Sequence, residues 1–339
     1  MSLKEDVLKG LSQPQKSLPP KYFYDRRGSE LFEKICELDV YYPFRCEMEI
    51  LGKRAAEIAA LLEDRCNLIE FGSGSSTKTK LILDHLSDDC TYTPVEVSGE
   101  FLEEVTCRLK GEYPRLKTVP ICGDFTQPLQ WLNQLPRGTR ASAVFFPGST
   151  LGNFDPPAAK KILRSMRRIV GAGGRAVIGI DLMKDAAVME IAYNDPQGVT
   201  AEFNLNLLSR INRELSNELK TPFSLSQFRH YAFFNSVMSR IEMHLISEKS
   251  TWIELAGQKI HFEPGESIHT ENSYKYDQKT FEAAAKDAGF SVERRWTDAK
   301  GYFAVYLLQT IETSAPSMTG VNRQAQNSPL HVRNYVGAI

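Results

Sequence analysis

Three short apolar runs of the sequence each lead into residues that suit the binding of a nucleoside. The first run, L-I-E-F, carries Glu70 and enters the turn G-S-G-S-S-T, which begins at Gly72. The second, T-P-V-E-V, contains Glu96, and the third, K-T-V-P-I-C, continues as G-D-F with Asp124 and Phe125. An acidic side chain roughly 20–25 residues beyond a glycine turn can accept hydrogen bonds from a ribose diol. The spacing therefore predicts a nucleoside cofactor at the carboxyl ends of neighbouring strands.

The glycine pattern distinguishes between cofactors that contain a nucleoside. The dinucleotide fingerprint G-x-G-x-x-G requires a third glycine where this chain has Thr77. The phosphate-binding pattern G-x-x-x-x-G-K-[ST] is absent, because a single residue separates the two glycines. S-adenosylmethionine contains adenosine but no phosphate, so it does not need the third glycine. In this interpretation Asp124 binds the adenine amino group and Phe125 lies on the ring.

The elements that must position these residues follow from hydrophobic periodicity. Spacings of three and four residues predict a helical region over 29–63, with a break at Pro43. From residue 67 short apolar runs alternate with helical runs, which is typical of a mainly parallel sheet with helices on its faces. Later segments predict a helical region over 186–216, strands at S-R-I-E-M-H-L-I-S and K-I-H-F-E-P, a helix over 278–288 and a last strand at Y-F-A-V-Y-L-L-Q.

Composition excludes several classes of function. The chain has 339 residues and a net charge of −1, so it lacks the basic surface expected for binding nucleic acid or anionic membranes. We expect a cytoplasmic protein, because the N-terminus lacks the apolar core of a signal peptide and the six cysteines have no C-x-x-C pairing. The six histidines show no H-x-x-x-H spacing, so no metal is predicted. Residues 312–339 are polar and predict a disordered tail.

The sequence also resembles the histidine Nα-methyltransferase family of ergothioneine biosynthesis, from about residue 15 to about residue 310. The matching stretches include P-P-K-Y-F-Y-D-R-R-G-S-E-L-F, V-Y-Y-P-F-R-C-E, E-F-G-S-G-S-S-T-K-T, P-G-S-T-L-G-N-F, G-I-D-L-M-K-D, Y-N-D-P-Q-G-V-T-A-E-F-N, R-I-E-M and T-E-N-S-Y-K. The glycine turn marks only a broad superfamily, whereas the aromatic N-terminal segment, S-T-L-G-N and T-E-N-S together are specific to this family. The family transfers three methyl groups from S-adenosylmethionine to the α-amine of L-histidine, which gives hercynine.

The resemblance implies roles for individual positions. The cofactor residues would be Gly72, Lys78, Glu96, Asp124 and Phe125. The substrate residues would be Asn153 and Tyr193 at the carboxylate, Glu271 and Ser273 at the opposite end around the imidazole, and Phe32, Tyr41, Gly148, Thr150 and Met243 along the pocket. Tyr24 would lie at the cofactor entrance, and Tyr24, or a water held by Tyr24 and Tyr41, would help to remove the amine proton. The family usually has Asp where Glu96 stands, and the tail is not part of its pattern.

The resemblance further implies an α/β fold: a Rossmann-like class I methyltransferase sheet of seven strands with a second, smaller α+β substrate domain. The methyltransferase domain would comprise residues 50–185 and 276–310, and the substrate domain 15–49 and 186–275. The expected partners are L-histidine and its mono- and dimethyl intermediates, with no nucleic acid or membrane, and the expected state is a monomer. Three alternatives remain open: an N-methyltransferase of another aromatic amino acid or derivative, a catalytically inactive binding protein, and a dehydrogenase.

Overall fold

The structure is a computed structural model that describes residues 2–62, 66–136 and 141–311. The predicted tail, residues 312–339, lies outside the described residues. Within the three described ranges, no helix combines the length and the apolar character needed to cross a membrane.

The described residues form nine α-helices and fifteen strands. The helices are α1 (Leu3–Leu11), α2 (Arg26–Glu37), α3 (Tyr42–Leu61), α4 (Thr77–Leu83), α5 (Gly99–Glu112), α6 (Pro156–Val170), α7 (Ala186–Tyr193), α8 (Val199–Glu214) and α9 (Gln278–Asp287). The strands are β1 (Lys16–Ser17), β2 (Cys66–Phe71), β3 (Thr91–Glu96), β4 (Lys117–Thr118), β5 (Ile121–Cys122), β6 (Ala141–Phe146), β7 (Arg175–Asp181), β8 (Leu219–Thr221), β9 (Phe228–Asn235), β10 (Arg240–Ser247), β11 (Thr251–Leu255), β12 (Gln258–Phe262), β13 (Ser267–Tyr274), β14 (Phe290–Thr297) and β15 (Phe303–Thr310).

The largest sheet has the order β14–β15–β7–β6–β2–β3–β4, and β5 also pairs with β3. Strands β2 to β7 run parallel, whereas β15 is antiparallel to both of its neighbours. Pro120 lies between β4 and β5, and because proline cannot donate a ladder hydrogen bond, these two segments act as one interrupted strand. The sheet therefore has seven strand positions, and the predicted Rossmann-like methyltransferase fold is confirmed.

Buried apolar side chains cover both faces of this sheet. On one face, Ile162 and Leu163 of α6 and Phe281 of α9 belong to a buried cluster with strand residues. On the other face, α3, α4 and α5 contribute buried side chains such as Leu51 and Leu109 to a second cluster. This two-sided burial explains why the central strands read as continuous apolar runs without alternation.

Two smaller sheets are formed by β1 and by the strands from β8 to β13, and the larger of them packs against α7 and α8. One sheet has the order β1–β13–β10–β9, and a three-stranded sheet has the order β12–β11–β8. Helix α8 contacts α2, β9 and β10, and α7 contacts β9 and β10. The predicted domain boundary at residue 50 falls inside α3, which is continuous from Tyr42 to Leu61, so the assignment of two domains stays a prediction.

The predicted helical region over 186–216 contains two helices, α7 and α8, and periodicity missed the break between them. The segment between them contains Pro196, and Gly198 has a φ of +74°. The carboxylate of Asp195 accepts hydrogen bonds from the backbone N–H groups of Val199 (2.9 Å) and Thr200 (2.8 Å), which satisfies free donors at the start of α8. Periodicity also missed α1 and the strands β8, β9, β11, β13 and β14.

Candidate active site

Four of the predicted cofactor residues lie at the carboxyl ends of strands: Gly72 after β2, Glu96 at the end of β3, and Asp124 and Phe125 after β5. Gly72 follows β2 with a φ of +67°, and Gly74 has a φ of +48°. A side chain at Gly74 would meet no atom within 4 Å, so the turn presents bare backbone to open space. A glycine turn of this kind lets a ligand approach the backbone closely, which fits the adenosine and methionine parts of S-adenosylmethionine.

Glu96 ties the glycine turn to the following helix. Its carboxylate accepts hydrogen bonds from the backbone N–H groups of Val97 (2.8 Å), Gly74 (3.4 Å) and Ser98 (3.4 Å). Burial raises the pKa of Glu96, and these N–H groups act in the opposite direction. The half-buried carboxylate can still accept from a ribose diol at its exposed side, and its contact with the cofactor stays a prediction.

Asp124 and Phe125 form the far rim of this edge. One carboxylate oxygen of Asp124 accepts from the backbone N–H (2.8 Å) and the hydroxyl (2.6 Å) of Thr126, so the residue caps a turn. The ring of Phe125 stacks on Phe71, with 5.4 Å between centroids, and remains partly exposed. Both residues are placed to meet an adenine, and their contact with it stays a prediction.

Glu70 has a different role from the one suggested by its position in the sequence. Its side chain is buried beneath the turn, where it accepts hydrogen bonds from the hydroxyls of Thr79 (2.6 Å) and Tyr92. Burial raises the pKa of Glu70 to about 8. It therefore supports the glycine turn from within and is not exposed to a ligand.

Lys78 contacts a buried acid that the sequence analysis did not identify. Its ammonium lies 2.6 Å from a carboxylate oxygen of Glu47, which is fully buried. The same carboxylate accepts the backbone N–H of Gly148 at 2.8 and 3.0 Å. A side chain at Gly179 would lie 2.0 Å from Glu47, so this glycine makes room for the contact. Lys78 and Gly148 are thus joined through α3, and a direct role for either in ligand binding stays a prediction.

Aromatic rings form one wall of the site. Tyr24 packs edge-on against Phe32 (5.7 Å between centroids), Phe32 against Tyr41 (6.4 Å), and Tyr41 against Tyr193 (6.1 Å). Phe203 of α8 contacts both Tyr24 and Phe32. Phe203 lies within the matching stretch Y-N-D-P-Q-G-V-T-A-E-F-N but was not selected from it. Such a wall can hold a quaternary ammonium by cation–π attraction, without hydrogen bonds.

Tyr24 lies close enough to Glu96 of the cofactor edge and to Glu271 of the substrate side for both carboxylates to affect its pKa. Desolvation raises the pKa of Tyr24 well above its usual value, and the negative charges of Glu271 and Glu96 raise it further. Desolvation also raises the pKa of Tyr41, with Tyr193 next in effect. Both phenols therefore stay neutral near pH 7. Tyr24 can accept a hydrogen bond from an amine, and the help of Tyr24 and Tyr41 in removing the amine proton stays a prediction.

Glu271 and Asn153 are brought together by the S-T-L-G-N turn and β13. A side chain at Gly152 would lie 2.8 Å from the carbonyl oxygen of Tyr274, so this glycine permits close approach of the turn to the strand. Thr150 closes the turn by donating to the carbonyl of Pro147 (3.0 Å). As a result the amide of Asn153 donates to a carboxylate oxygen of Glu271 at 2.9 Å. The two side chains were expected at opposite ends of the substrate, but in this structure they contact each other. A substrate that binds to both must therefore separate them.

The orientation of Glu271 depends on an irregularity in strand pairing. Met243 pairs with Glu271, whereas the next residue of β10, His244, pairs with His269, which leaves Thr270 as an extra residue. The hydroxyl of Thr270 donates to the carbonyl of Met243 (3.0 Å) and closes this bulge. Bulges redirect side chains. Burial raises the pKa of Glu271 to about 7, and the nearby Lys275 ammonium acts in the opposite direction.

Tyr193 and Ser273 meet at a buried lysine. The hydroxyl of Tyr193 donates to that of Ser273 at 2.7 Å, and the ammonium of Lys275 donates to Ser273 (2.7 Å), to Tyr193 (3.1 Å) and to Asp181 (2.7 Å). Asp181 also accepts from Tyr42 (2.8 Å) and pairs with Lys184. A role for Tyr193 at the substrate carboxylate stays a prediction.

Several residues of this site could have been found in the sequence. Asp181 ends a strand just as Glu96 does, and it lies in the matching stretch G-I-D-L-M-K-D; Lys275 ends T-E-N-S-Y-K. Glu47 ends V-Y-Y-P-F-R-C-E. No local pattern indicated that these charged residues would be buried.

The structure also brings together Glu242, His244 and His269, whose potential ligand atoms lie within 4.8 Å of one another. Glu242 and His244 lie on β10 and His269 lies on the neighbouring strand β13, so the search for H-x-x-x-H could not find the cluster. Glu242 already pairs with Arg240 (2.6 Å) and accepts from Asn235 (2.8 Å). The absence of a metal from the protein stays a prediction.

Replacing Gly72 with valine should weaken S-adenosylhomocysteine binding at least about ten-fold, because a β-branched residue is strained at positive φ and its side chain would occupy the ligand's approach. Isothermal titration calorimetry would measure the change. Gly111→Ala is the matched control, since a side chain at Gly111 in α5 meets nothing within 4 Å. Unchanged binding by Gly72→Val would show that the turn does not contact the cofactor.

Comparison with known proteins shows the family of this chain. The model of the S-adenosylmethionine-dependent, histidine-specific methyltransferase family matches residues 3–310. The chain is 38% identical over 312 residues to histidine N-alpha-methyltransferase of Mycobacterium tuberculosis, with 91% of this chain and 94% of that protein covered. The corresponding protein of Mycolicibacterium smegmatis is 37% identical, with 90% and 94% covered. Ergothioneine biosynthesis protein 1 of Neurospora crassa is 28% identical over 85% of this chain and 32% of that protein. The chain therefore belongs to the histidine-specific, S-adenosylmethionine-dependent methyltransferase family.

Proposed function

We propose that this protein transfers three methyl groups from S-adenosylmethionine to the α-amine of L-histidine, which gives hercynine for ergothioneine biosynthesis. The observation that carries the proposal is the buried carboxylate of Glu271 beside Asn153, Ser273 and an aromatic wall. The names of two relatives also support the proposal. Histidine N-alpha-methyltransferase supports the substrate, and ergothioneine biosynthesis protein 1 supports the pathway.

The proposed substrate position uses one polar group for each end of histidine. Glu271 accepts the imidazole N–H, which rejects side chains that cannot donate there, since the buried carboxylate would be left unpaired. Asn153 turns from Glu271 to the substrate carboxylate, whereas Tyr193 contributes through its hydrogen bond to Ser273 (2.7 Å) on the imidazole side. Phe32, Tyr41 and Met243 fill the space around the chain and fix which nitrogen is presented.

Methyl transfer asks little acid–base chemistry of the protein. S-adenosylmethionine, when bound, supplies an electrophilic methyl group and leaves as a neutral thioether. Positioning a reacting pair in this way can contribute on the order of 7–11 kcal/mol. An α-amine titrates near pH 8 in model peptides, so a neutral fraction exists at pH 7, and the phenol of Tyr24 can accept the hydrogen bond that orients it.

Repeated methylation requires a site that tolerates growing bulk. Each transfer forms an N–C bond as the sulfur–carbon bond breaks and leaves an ammonium, which must lose a proton before the next transfer; Tyr24, or a water held by Tyr24 and Tyr41, would help to remove it. Each added methyl group thus replaces an N–H donor, and the final product carries none. The rings of Tyr24, Phe32 and Tyr41 offer faces and edges that favour a cation without requiring donors. We therefore propose that the mono- and dimethyl intermediates bind in the same place as histidine.

Mass spectrometry of a panel of free amino acids incubated with the purified protein and S-adenosylmethionine tests this function. We expect histidine alone to gain the mass of three CH₂ groups, and fragmentation should place all of them on the α-amine. Tryptophan, tyrosine and phenylalanine are the controls. A gain by one of these with histidine unchanged would contradict the proposal, and so would methylation of the imidazole. The monomeric state, the cytoplasmic location and the lack of nucleic-acid or membrane partners stay predictions from composition.

A further inference from the structure

Lys275 is a buried lysine that contacts the substrate residues Tyr193 and Ser273 but has no role in the steps proposed above. Glu271, Ser273 and Lys275 occupy alternate positions, so their side chains share one face of β13 and its extension. The side chain of Lys275 has no exposed surface. Burying an ammonium is costly unless it is paired and hydrogen-bonded, so its partners are informative.

All three ammonium protons of Lys275 are already used. They are donated to Asp181 (2.7 Å), Ser273 (2.7 Å) and Tyr193 (3.1 Å). An ammonium has three donors and no acceptor. Lys275 therefore has no free donor for the substrate, and it can affect substrate binding only through the hydroxyls of Ser273 and Tyr193.

These contacts decide how the two hydroxyls can serve a ligand. A hydroxyl has one donor and two acceptor lone pairs. The oxygen of Ser273 accepts from Lys275 and, at 2.7 Å, from Tyr193, so both of its lone pairs are occupied and its own proton is free. If the bond between the hydroxyls reverses, the free proton belongs to Tyr193 instead. In both arrangements the pair offers a donor to the site.

We propose that Lys275 is a positioning residue that makes the Tyr193–Ser273 pair donate hydrogen bonds to the guest and not accept them. This inference rests on the proposed function and deepens it, because it states which ring the site selects. Glu271 accepts, and the hydroxyl pair donates. A neutral imidazole has one N–H and one lone-pair nitrogen and satisfies both, whereas an indole has only the N–H.

The alternative role for Lys275 is to neutralise Asp181. Asp181 has two further partners, because Lys184 pairs with it and Tyr42 donates to it at 2.8 Å. Lys275→Met therefore leaves Asp181 paired, and the two roles can be separated by experiment.

The test compares two ligands by calorimetry: L-histidine and β-(2-thienyl)-L-alanine, whose ring lacks N–H groups and nitrogen lone pairs. We expect Lys275→Met to reduce the preference for histidine about ten-fold, and Ser273→Ala to do the same, the effect of one lost hydrogen bond. The double variant should lose little more, because the two residues act through one hydroxyl. S-adenosylhomocysteine binding should stay unchanged in all three. Exposed Lys279→Met is the control and should match the wild type.

Equal weakening of both ligands by Lys275→Met, or additive effects in the double variant, would overturn the inference and leave Lys275 with a structural role. If Lys275→Met does not fold, Ser273→Ala decides, because an unchanged preference there contradicts a donating hydroxyl. Failure of the wild type to bind histidine at all would instead remove the proposed function.

Discussion

Glu271→Gln is expected to lower kcat/KM for histidine on the order of 100-fold, because a charge-assisted hydrogen bond to the imidazole N–H becomes a neutral one. The amide is close in size to the carboxylate and can still accept from Asn153, so the change is confined to charge. Initial rates of methyl transfer from pH 5.5 to 9 would measure it. The wild-type rate should rise both through pH 7, where Glu271 ionises, and towards pH 8, where the substrate amine loses its proton. Only the rise from the amine should remain in the variant.

Glu271→Gln should lower activity but raise the free energy of unfolding relative to the wild type as pH increases. The pKa of Glu271 is raised from 4.5 to about 7, so between these values the folded protein binds more protons than the unfolded chain. Stability therefore falls as pH rises through this window, by up to about 3 kcal/mol. Glu271→Gln lacks this loss, so its unfolding free energy relative to the wild type should increase from pH 4.5 to pH 8.

Two controls accompany these measurements. Binding of S-adenosylhomocysteine should be unchanged in Glu271→Gln, which separates a substrate effect from a damaged cofactor site. A variant that keeps kcat/KM within about three-fold of the wild type would show that the buried carboxylate does not bind the ring.

Asp181→Ala should have the largest effect on stability, a loss of about 3–5 kcal/mol in the free energy of unfolding at pH 7. Asp181 is buried at the end of β7, where it faces the ammonium groups of Lys275 and Lys184. Burial acts to raise the pKa of Asp181, but the two lysines hold it below its usual value, so the carboxylate is ionised. Its removal leaves two buried cations without a counter-charge.

Urea unfolding would measure this loss, and its pH dependence provides a second check. Without Asp181 the lysines are more easily deprotonated, so the deficit of the variant should shrink as pH rises from 7 to 10. Asp88→Asn is the matched control, because Asp88 and Arg115 form an exposed pair that contributes about 0–1 kcal/mol. Comparable losses in both variants would mean that the Asp181 cluster is solvated.

The sequence by itself determined the cofactor edge. Gly72, Glu96 and Asp124 each follow or end a short apolar run, and the alternation of runs and helices required parallel strands. In such a sheet all carboxyl ends lie at one edge, so local order along the chain was sufficient to predict a shared site. The helices α3, α6 and α9 were likewise visible as periodic apolar positions.

Only the tertiary structure decided the substrate side. The contact between Asn153 and Glu271 joins residues 118 positions apart, and the bonds of Lys275 reach Tyr193 and Asp181 across 82 and 94 positions. The bulge at Thr270 that orients Glu271 depends on pairing with β10, and the residue types in T-E-N-S do not predict it. Whether a carboxylate is solvated or titrates near pH 7 depends on the side chains folded around it, and periodicity carries information only about neighbours along one helix or strand.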